Sequence, residues 1–312
     1  MRIQSFLLHD QGPKQCTDRI VRGVFVLSPE VPIQDVSDTS FWVAYFRAKE
    51  SQRPDAIFRD PFAARLAGEH GKRISESMPD FSRYTEWAVV SRTVIIDRFI
   101  EKAIQEGTDA VLNLGAGLDA RPYRMNLPEN LDWVEVDYSS IMAHKKKILA
   151  NETPRCRLTQ VELDLANRTQ RDAFFKTVLP KAEKVLVLTE GLIPYLNETQ
   201  VSELAEDLLK RPQFQAWISE YFDPRVYRHL KANTRTRAMK NSPFQFYPKN
   251  WFGFFNANGW TEKETVHFLN IVVEFKRTPP MPKWVKWILP LIPKKVIDDA
   301  LKMSGYTVMK RL

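Results

Sequence analysis

The chain has 312 residues, 44% of them hydrophobic, enough to bury a large core and close to the upper limit for a single domain, so one domain with added segments is expected. Its two cysteines, Cys16 and Cys156, lie far apart and form no CxxC pair; this argues against a disulfide framework or a zinc site and fits a reducing, cytoplasmic setting. The net charge of +8 comes from dispersed Lys and Arg, with Lys145 to Lys147 as a short run, so no nucleic-acid-binding patch is expected.

Residues 1–38 mix short apolar pieces with Gly12, Pro13, Pro29 and Pro32, keep neither a period of 2 nor of 3.6, and read as a loosely ordered extension. The apolar stretch near the N-terminus meets His9 and Asp10 too early to serve as a secretory signal. From Thr39 the pattern turns helical, with Trp42, Tyr45 and Phe46 on one face, and a second helical stretch follows IFRDPFAARLAG. A long helix is predicted over 86–106, where Val90, Val94, Ile95, Phe99 and Ile104 keep helical spacing and Gly107 supplies the stop. Residues 39–108 thus form a helical cap ahead of a sheet.

The core spans 109–280. Short apolar runs at 110–114, 133–136, 185–188 and 216–219 predict strands, LTQVELD is another, and helical patterns such as Glu198 to Lys210 separate them. Strands alternating with helices imply a doubly wound α/β fold with a mostly parallel sheet and right-handed crossovers. Val266 to Leu269 and Tyr306 to Lys310 are also strand-like. The segment 281–303 between them is aromatic, basic and broken by Pro282, Pro290 and Pro293, the pattern of a lid, and 304–312 forms the last strand. No apolar run reaches the ~18 residues of a membrane span.

The strongest signal is VLNLGAGLDARPYR, where an apolar strand runs straight into Gly115, Ala116 and Gly117. Glycine lets the backbone approach a ligand as the chain turns into the next helix. Twenty residues after Gly117, Asp137 ends the next strand, where an acid accepts hydrogen bonds from the ribose hydroxyls of a nucleoside. Asp164 and Leu165 follow another strand and suit an adenine; Asp164 equally suits a helix cap. KVLVLTEGLIPYL places Glu190 and Gly191 at the mouth of the fourth strand.

In these motifs the chain resembles the leucine carboxyl methyltransferase family, in the broad sense that includes bacterial polyketide-type O-methyltransferases. The resemblance runs from about Thr39 to the C-terminus and rests on RAKESQRPDAIFRDPFAARLAG, SRT with IDRFI, LNLGAGLDARPYR, WVEVDY, the Asp164 and Leu165 pair, and LTEGLIPYL. It implies a Rossmann-like class I methyltransferase sheet with an antiparallel last strand, and S-adenosylmethionine as cofactor. Arg92 would pair with the methionyl carboxylate, with Lys49 also in reach. Gly115 would face the cofactor, Asp137 hold the ribose, Asp164 and Leu165 border the adenine, and Glu190 lie near the methionyl amine. Asn113 stands where many methyltransferases carry an acid.

Methyl transfer from a sulfonium is an in-line displacement for which the protein supplies alignment and a dry site. A carboxylate acceptor needs no base, whereas a phenol, with a pKa of ~10, gains from one. His144, His229 and His267 sit in contexts that suit structural roles. Tyr195, Tyr221 and Arg225 follow the fourth and fifth strands and are placed to orient an acceptor. Leucine carboxyl methylation of a protein tail is one activity of the family; a small-molecule acceptor, through a carboxyl or hydroxyl oxygen, is the expectation here, with no stable membrane association. Two other readings use the same residues. GAGLDA also satisfies the GxGxxA fingerprint of a nicotinamide-dependent oxidoreductase, and PKWVKWILPLIPKK could describe a membrane-surface or partner-binding helix on a non-enzymatic α/β scaffold.

Overall fold

The computed structural model describes residues 33, 35–227, 243–281, 287 and 291–312, with the backbone alone at 79–81. Asp35 caps the first helix, α1 (Val36–Ser51): its side chain accepts from the backbone N–H of Ser37 and Asp38, and Asp38 answers back in a capping box. The helix therefore starts three residues ahead of the expected Thr39. Its buried face, with Trp42, Ala44 and Phe46, packs on α2 (Ala63–Ser77), which is kinked at Gly68, where φ is +53°. Next comes α3 (Pro79–Gln105), which begins seven residues before the expected Glu86. Its first turns bury Ser82 and Thr85, so hydrophobic periodicity could not register them.

The sheet then follows in alternation with helices: β1 (Ala110–Leu114), α4 (Arg121–Arg124), β2 (Asp132–Asp137), α5 (Ser139–Ile148), β3 (Arg157–Glu162), α6 (Arg168–Thr177), β4 (Val185–Thr189), α7 (Glu198–Leu209) and β5 (Phe214–Phe222). The last part is α8 (Trp251–Ala257), β6 (Trp260–His267), α9 (Phe268–Phe275), α10 (Lys294–Leu301) and β7 (Ser304–Arg311). The order is β3-β2-β1-β4-β5-β7-β6, with β7 antiparallel to both neighbours and the other pairs parallel. This is the class I methyltransferase sheet that the resemblance implied. Every residue of β1 and β4 is buried, as expected for central strands covered on both faces. On one face Leu112, Leu114 and Val187 pack with Leu204 and Leu208 of α7; on the other Val111, Leu186 and Leu188 pack with Ile96 and Ile100 of α3.

Two predicted strands shift. The strand predicted at Val266 to Leu269 runs instead from Trp260 to His267, because His267 caps α9 in a capping box with Asn270 and the chain turns helical at Phe268. The strand predicted at 216–219 extends to Phe222, carrying Glu220 into the sheet. Of the supposed lid, residues 282–286 and 288–290 lie outside the described residues; the described part contains α10, which meets α9. Residues 1–32 and 34, most of the supposed extension, also lie outside them, as does His229. The Lys145–Lys147 run is divided by the helix: Lys145 is fully buried against Glu135 at 2.6 Å, while Lys146 pairs with Glu162 in solvent. Among the described residues, no helix is long and apolar enough to cross a membrane.

Candidate active site

The chain leaves β1 for β2 on one side and returns to β4 on the other, so the strand order reverses between β1 and β4. In open α/β sheets a crevice forms there, at the carboxyl ends of the strands. A cavity of about 210 Å³ occupies it, floored by the strand ends and roofed by α1 through Ser37, Ser40, Trp42 and Val43.

At its β2 end, the backbone N–H groups of Gly117 and Tyr138 donate to the two oxygens of Asp137, at 2.6 and 2.7 Å. Burial raises the Asp137 carboxyl above its ordinary range, and these two hydrogen bonds oppose that rise. Each oxygen keeps acceptor capacity for a hydroxyl. Gly115 and Gly117 have φ of +72° and +52°, and a Cβ on either would lie 3.3 Å from Leu192 or 3.2 Å from Ser40. Leu165 is buried and lines the cavity beyond β2. Asp164 is exposed at the rim, where its Oδ1 accepts from the Ala166 N–H at 2.9 Å, the turn role that local sequence equally allowed.

At the β4 end the charges interlock. Glu190 lies 2.8 Å from Arg92 Nε and accepts from Arg121 Nη1 at 2.7 Å. Arg121 is buried and also donates to Asp97 at 2.6 Å and Asp119 at 2.9 Å; Arg124 forks onto Asp97 at 2.7 and 2.8 Å. Burial alone would raise the Glu190 carboxyl, but Arg121 and Arg92 outweigh it and hold it below its ordinary range. Arg92 lines the cavity wall beside Glu190, its ion-pair partner. Asn113 is fully buried and donates to Asp119 at 3.1 Å, yet its Oδ1 has no hydrogen-bond partner among the described residues. A guanidinium and an open amide oxygen in one wall suit the carboxylate and ammonium of an amino acid.

Not every predicted residue reaches the cavity. Lys49 lies outside its lining and pairs with Glu86 at 2.5 Å; Arg47, half a turn earlier, lines it, buried, with Asp60 as partner at 2.9 Å. Tyr195 lines the cavity, edge-on to Phe244 with ring centroids 5.1 Å apart. Tyr221 stacks on Phe252, and Arg225 is held outside by Asp223 at 2.8 Å. Alternation along β5 turns Tyr221 away and presents Glu220 and Phe222 instead. Sequence reasoning missed Glu220, although a carboxylate inside the apolar run AWISEYF was a signal. His144 meets the Leu66 carbonyl at 3.0 Å and His267 caps α9, both structural positions.

The family model described as leucine carboxyl methyltransferase matches residues 40–209. A protein of Frankia alni, provisionally named an S-adenosyl-L-methionine-dependent methyltransferase, is 30% identical over 178 residues, which cover 54% of this chain and 62% of that one. A Streptomyces avermitilis protein of the same provisional name is 33% identical over 175 residues, covering 53% and 62%. The match thus spans less than two thirds of these relatives' own length. Among solved structures, a DUF574 family protein from Streptomyces avermitilis has a TM-score of 0.51 at 15% identity, covering 86% of this chain and 97% of that one. A protein of Thermobifida fusca, provisionally described as a methyltransferase, has a TM-score of 0.50 at 11% identity, covering 93% and 99%. These two share the fold.

Proposed function

Because the chain belongs to the leucine carboxyl methyltransferase family, we propose that it is an S-adenosylmethionine-dependent methyltransferase acting on a carboxyl or hydroxyl oxygen of a small molecule, in the cytoplasm. One observation carries the reading: a single cavity offers a pre-oriented carboxylate, Asp137, at one end, and the Arg92 guanidinium and the Asn113 amide oxygen at the other. A ribose and an amino-acid head need those groups at opposite ends of one site. The relatives' provisional names point the same way.

When bound, S-adenosylmethionine supplies an electrophilic methyl group. Asp137 binds the ribose hydroxyls, Leu165 packs on the adenine, and Gly115 and Gly117 leave room for close approach. Arg92 holds the carboxylate and Asn113 the ammonium, with Glu190 adding negative charge beside it. Trp42 and Val43 on α1 exclude water, which sharpens the alignment that in-line displacement requires.

Calorimetric titration with S-adenosylhomocysteine, NADH and NADPH, on the wild type and Asp137→Ala, tests this. Binding of the thioether alone, lost in the variant, supports the proposal. Binding of a nicotinamide instead would mean an oxidoreductase.

A further inference from the structure

The strands that floor the cavity give its contents an order. Along the sheet edge come Leu165 beyond β3, Asp137 on β2, Gly115 beyond β1, Glu190 beyond β4, Glu220 on β5 and Tyr306 on β7. Neighbouring strands lie ~4.8 Å apart, so Glu220 and Tyr306 stand one and two strands past the amino-acid end of the nucleoside site. Aromatic rings wall this stretch: Trp42, Tyr195, Phe222, Phe244 and Tyr306 all line the cavity.

Its two acids differ in kind. Glu190 is neutralised by two guanidinium groups. Glu220 is the more deeply buried and has no ion pair among the described residues; Oε1 accepts from the Gly191 N–H and Oε2 lies 3.4 Å from Ser219 Oγ. The charged and titratable groups that face it are Arg92 on α3, Glu190 at the end of β4 and Tyr306 on β7. Burial, and then the proximity of Glu220, hold the Tyr306 phenol protonated. The same burial, opposed by the Gly191 hydrogen bond and Arg92, pushes the Glu220 carboxyl up to about 7, the range of a base that works near neutrality.

We propose that this end of the cavity takes an aromatic hydroxyl compound as methyl acceptor, and that Glu220 is the catalytic base that removes the hydroxyl proton. The proposal rests on the methyltransferase function argued above. The acceptor oxygen forms its new bond to the methyl carbon as the carbon–sulfur bond breaks, and the sulfur keeps that electron pair. The hydroxyl proton passes to Glu220, so a carboxylate and a sulfonium become a carboxylic acid and a thioether, and charge balances. A carboxylate acceptor would bring a further negative charge toward Glu220 and Glu190 and would have no proton to give. Two buried donors in the lining, Trp42 Nε1 on α1 and Thr85 Oγ1 on α3, have no hydrogen-bond partner among the described residues and suit a second polar atom of the acceptor, such as a carbonyl.

The test uses the full chain with 4-methylphenol, which keeps its proton near neutrality, and 4-methylbenzoate as probes. S-adenosylhomocysteine affinity is measured first on the wild type, Glu220→Gln and Glu220→Asp; absence of binding to the wild type would mean that the underlying function is wrong. With the thioether bound, 4-methylphenol should bind at least ~10-fold more tightly than 4-methylbenzoate to the wild type, by calorimetry. Glu220→Gln should keep both the thioether and methylphenol affinities within about threefold, while methylation of 4-methylphenol falls ~100-fold or more. The wild-type rate should rise with pH through about 7, a limb that Glu220→Gln lacks and Glu220→Asp retains. Equal or tighter binding of the benzoate, or a Glu220→Gln enzyme that keeps its rate and its pH limb, would overturn the proposal.

Discussion

The backbone N–H of Gly117 donates to Asp137 Oδ2 at 2.6 Å, tying the loop after β1 to the end of β2. With the Tyr138 N–H on the other oxygen, the carboxylate is oriented before any ligand arrives. In Asp137→Asn an amide NH₂ must face one of those donors, and the charge is lost. Hydrogen bonds to a charged group are worth ~1.5–3 kcal/mol, so affinity for S-adenosylhomocysteine should fall ~10- to 100-fold. Asp164→Asn, at an exposed residue that holds the Ala166 N–H, should change it by less than about threefold. Titration calorimetry on both variants reads the contrast, and equal losses would contradict it.

How the sequence conveyed this site depends on the kind of residue. Gly115, Gly117 and Asp137 were legible because they sit where an apolar run stops, and strand ends are visible in a period-2 or all-apolar pattern. Leu165, Arg92 and Tyr195 also came to the cavity. Lys49 did not, since two residues along a helix turn a side chain to another face, and Arg47 lines the cavity instead. Tyr221 failed for the matching reason on a strand: alternation brought Glu220 and Phe222 into the cavity. The Arg121 network was hidden because its members come from α3, α4 and the turns beyond β1 and β4, separations that no local pattern encodes.

Arg121 serves three carboxylates, Asp97, Asp119 and Glu190, from a buried position. Arg121→Met would leave them short of positive charge, and breaking a buried pair by removing one partner costs ~3–5 kcal/mol. Arg98→Met, at the exposed pair with Glu274, should cost less than ~1 kcal/mol. Urea denaturation midpoints measure both. Burial raises the Asp97 and Glu190 carboxyls, but the arginines more than reverse this and hold both below their ordinary ranges. Their contribution is therefore complete above the ordinary carboxylate pKa and is lost as pH falls through the lower folded values. The deficit of Arg121→Met should accordingly shrink in acid.

Gly115→Ala and Gly107→Ala separate backbone strain from close approach. Both positions have positive φ, +72° and +90°, and alanine there costs ~1–2 kcal/mol. At Gly107 the new Cβ meets open space, whereas at Gly115 it lies 3.3 Å from the Leu192 Cβ at the cavity wall. Both variants should lose thermal stability, and Gly115→Ala alone should lose S-adenosylhomocysteine affinity. A Gly107→Ala protein with the same binding defect would mean that strain, not approach, controls the site.

Glu220 gives the pH dependence of stability a second component, opposite in sign to that of Asp97. Burial raises its carboxyl from 4.5 to about 7, against the Gly191 hydrogen bond and Arg92. Between those values the folded protein holds a proton that the unfolded chain has released, so stability declines as pH rises through the interval and levels off above it. The interval corresponds to about 3 kcal/mol. Glu220→Gln keeps an oxygen for the Gly191 N–H and cannot ionise, so this decline should vanish in the variant. Unfolding midpoints of the two ligand-free proteins at about pH 5 and about pH 8 isolate the component, because every other titrating group is common to both. The variant should gain on the wild type by up to about 3 kcal/mol between the two conditions. Parallel changes would mean that Glu220 is ionised throughout, as it would be if Arg92 turned from Glu190 to pair with it.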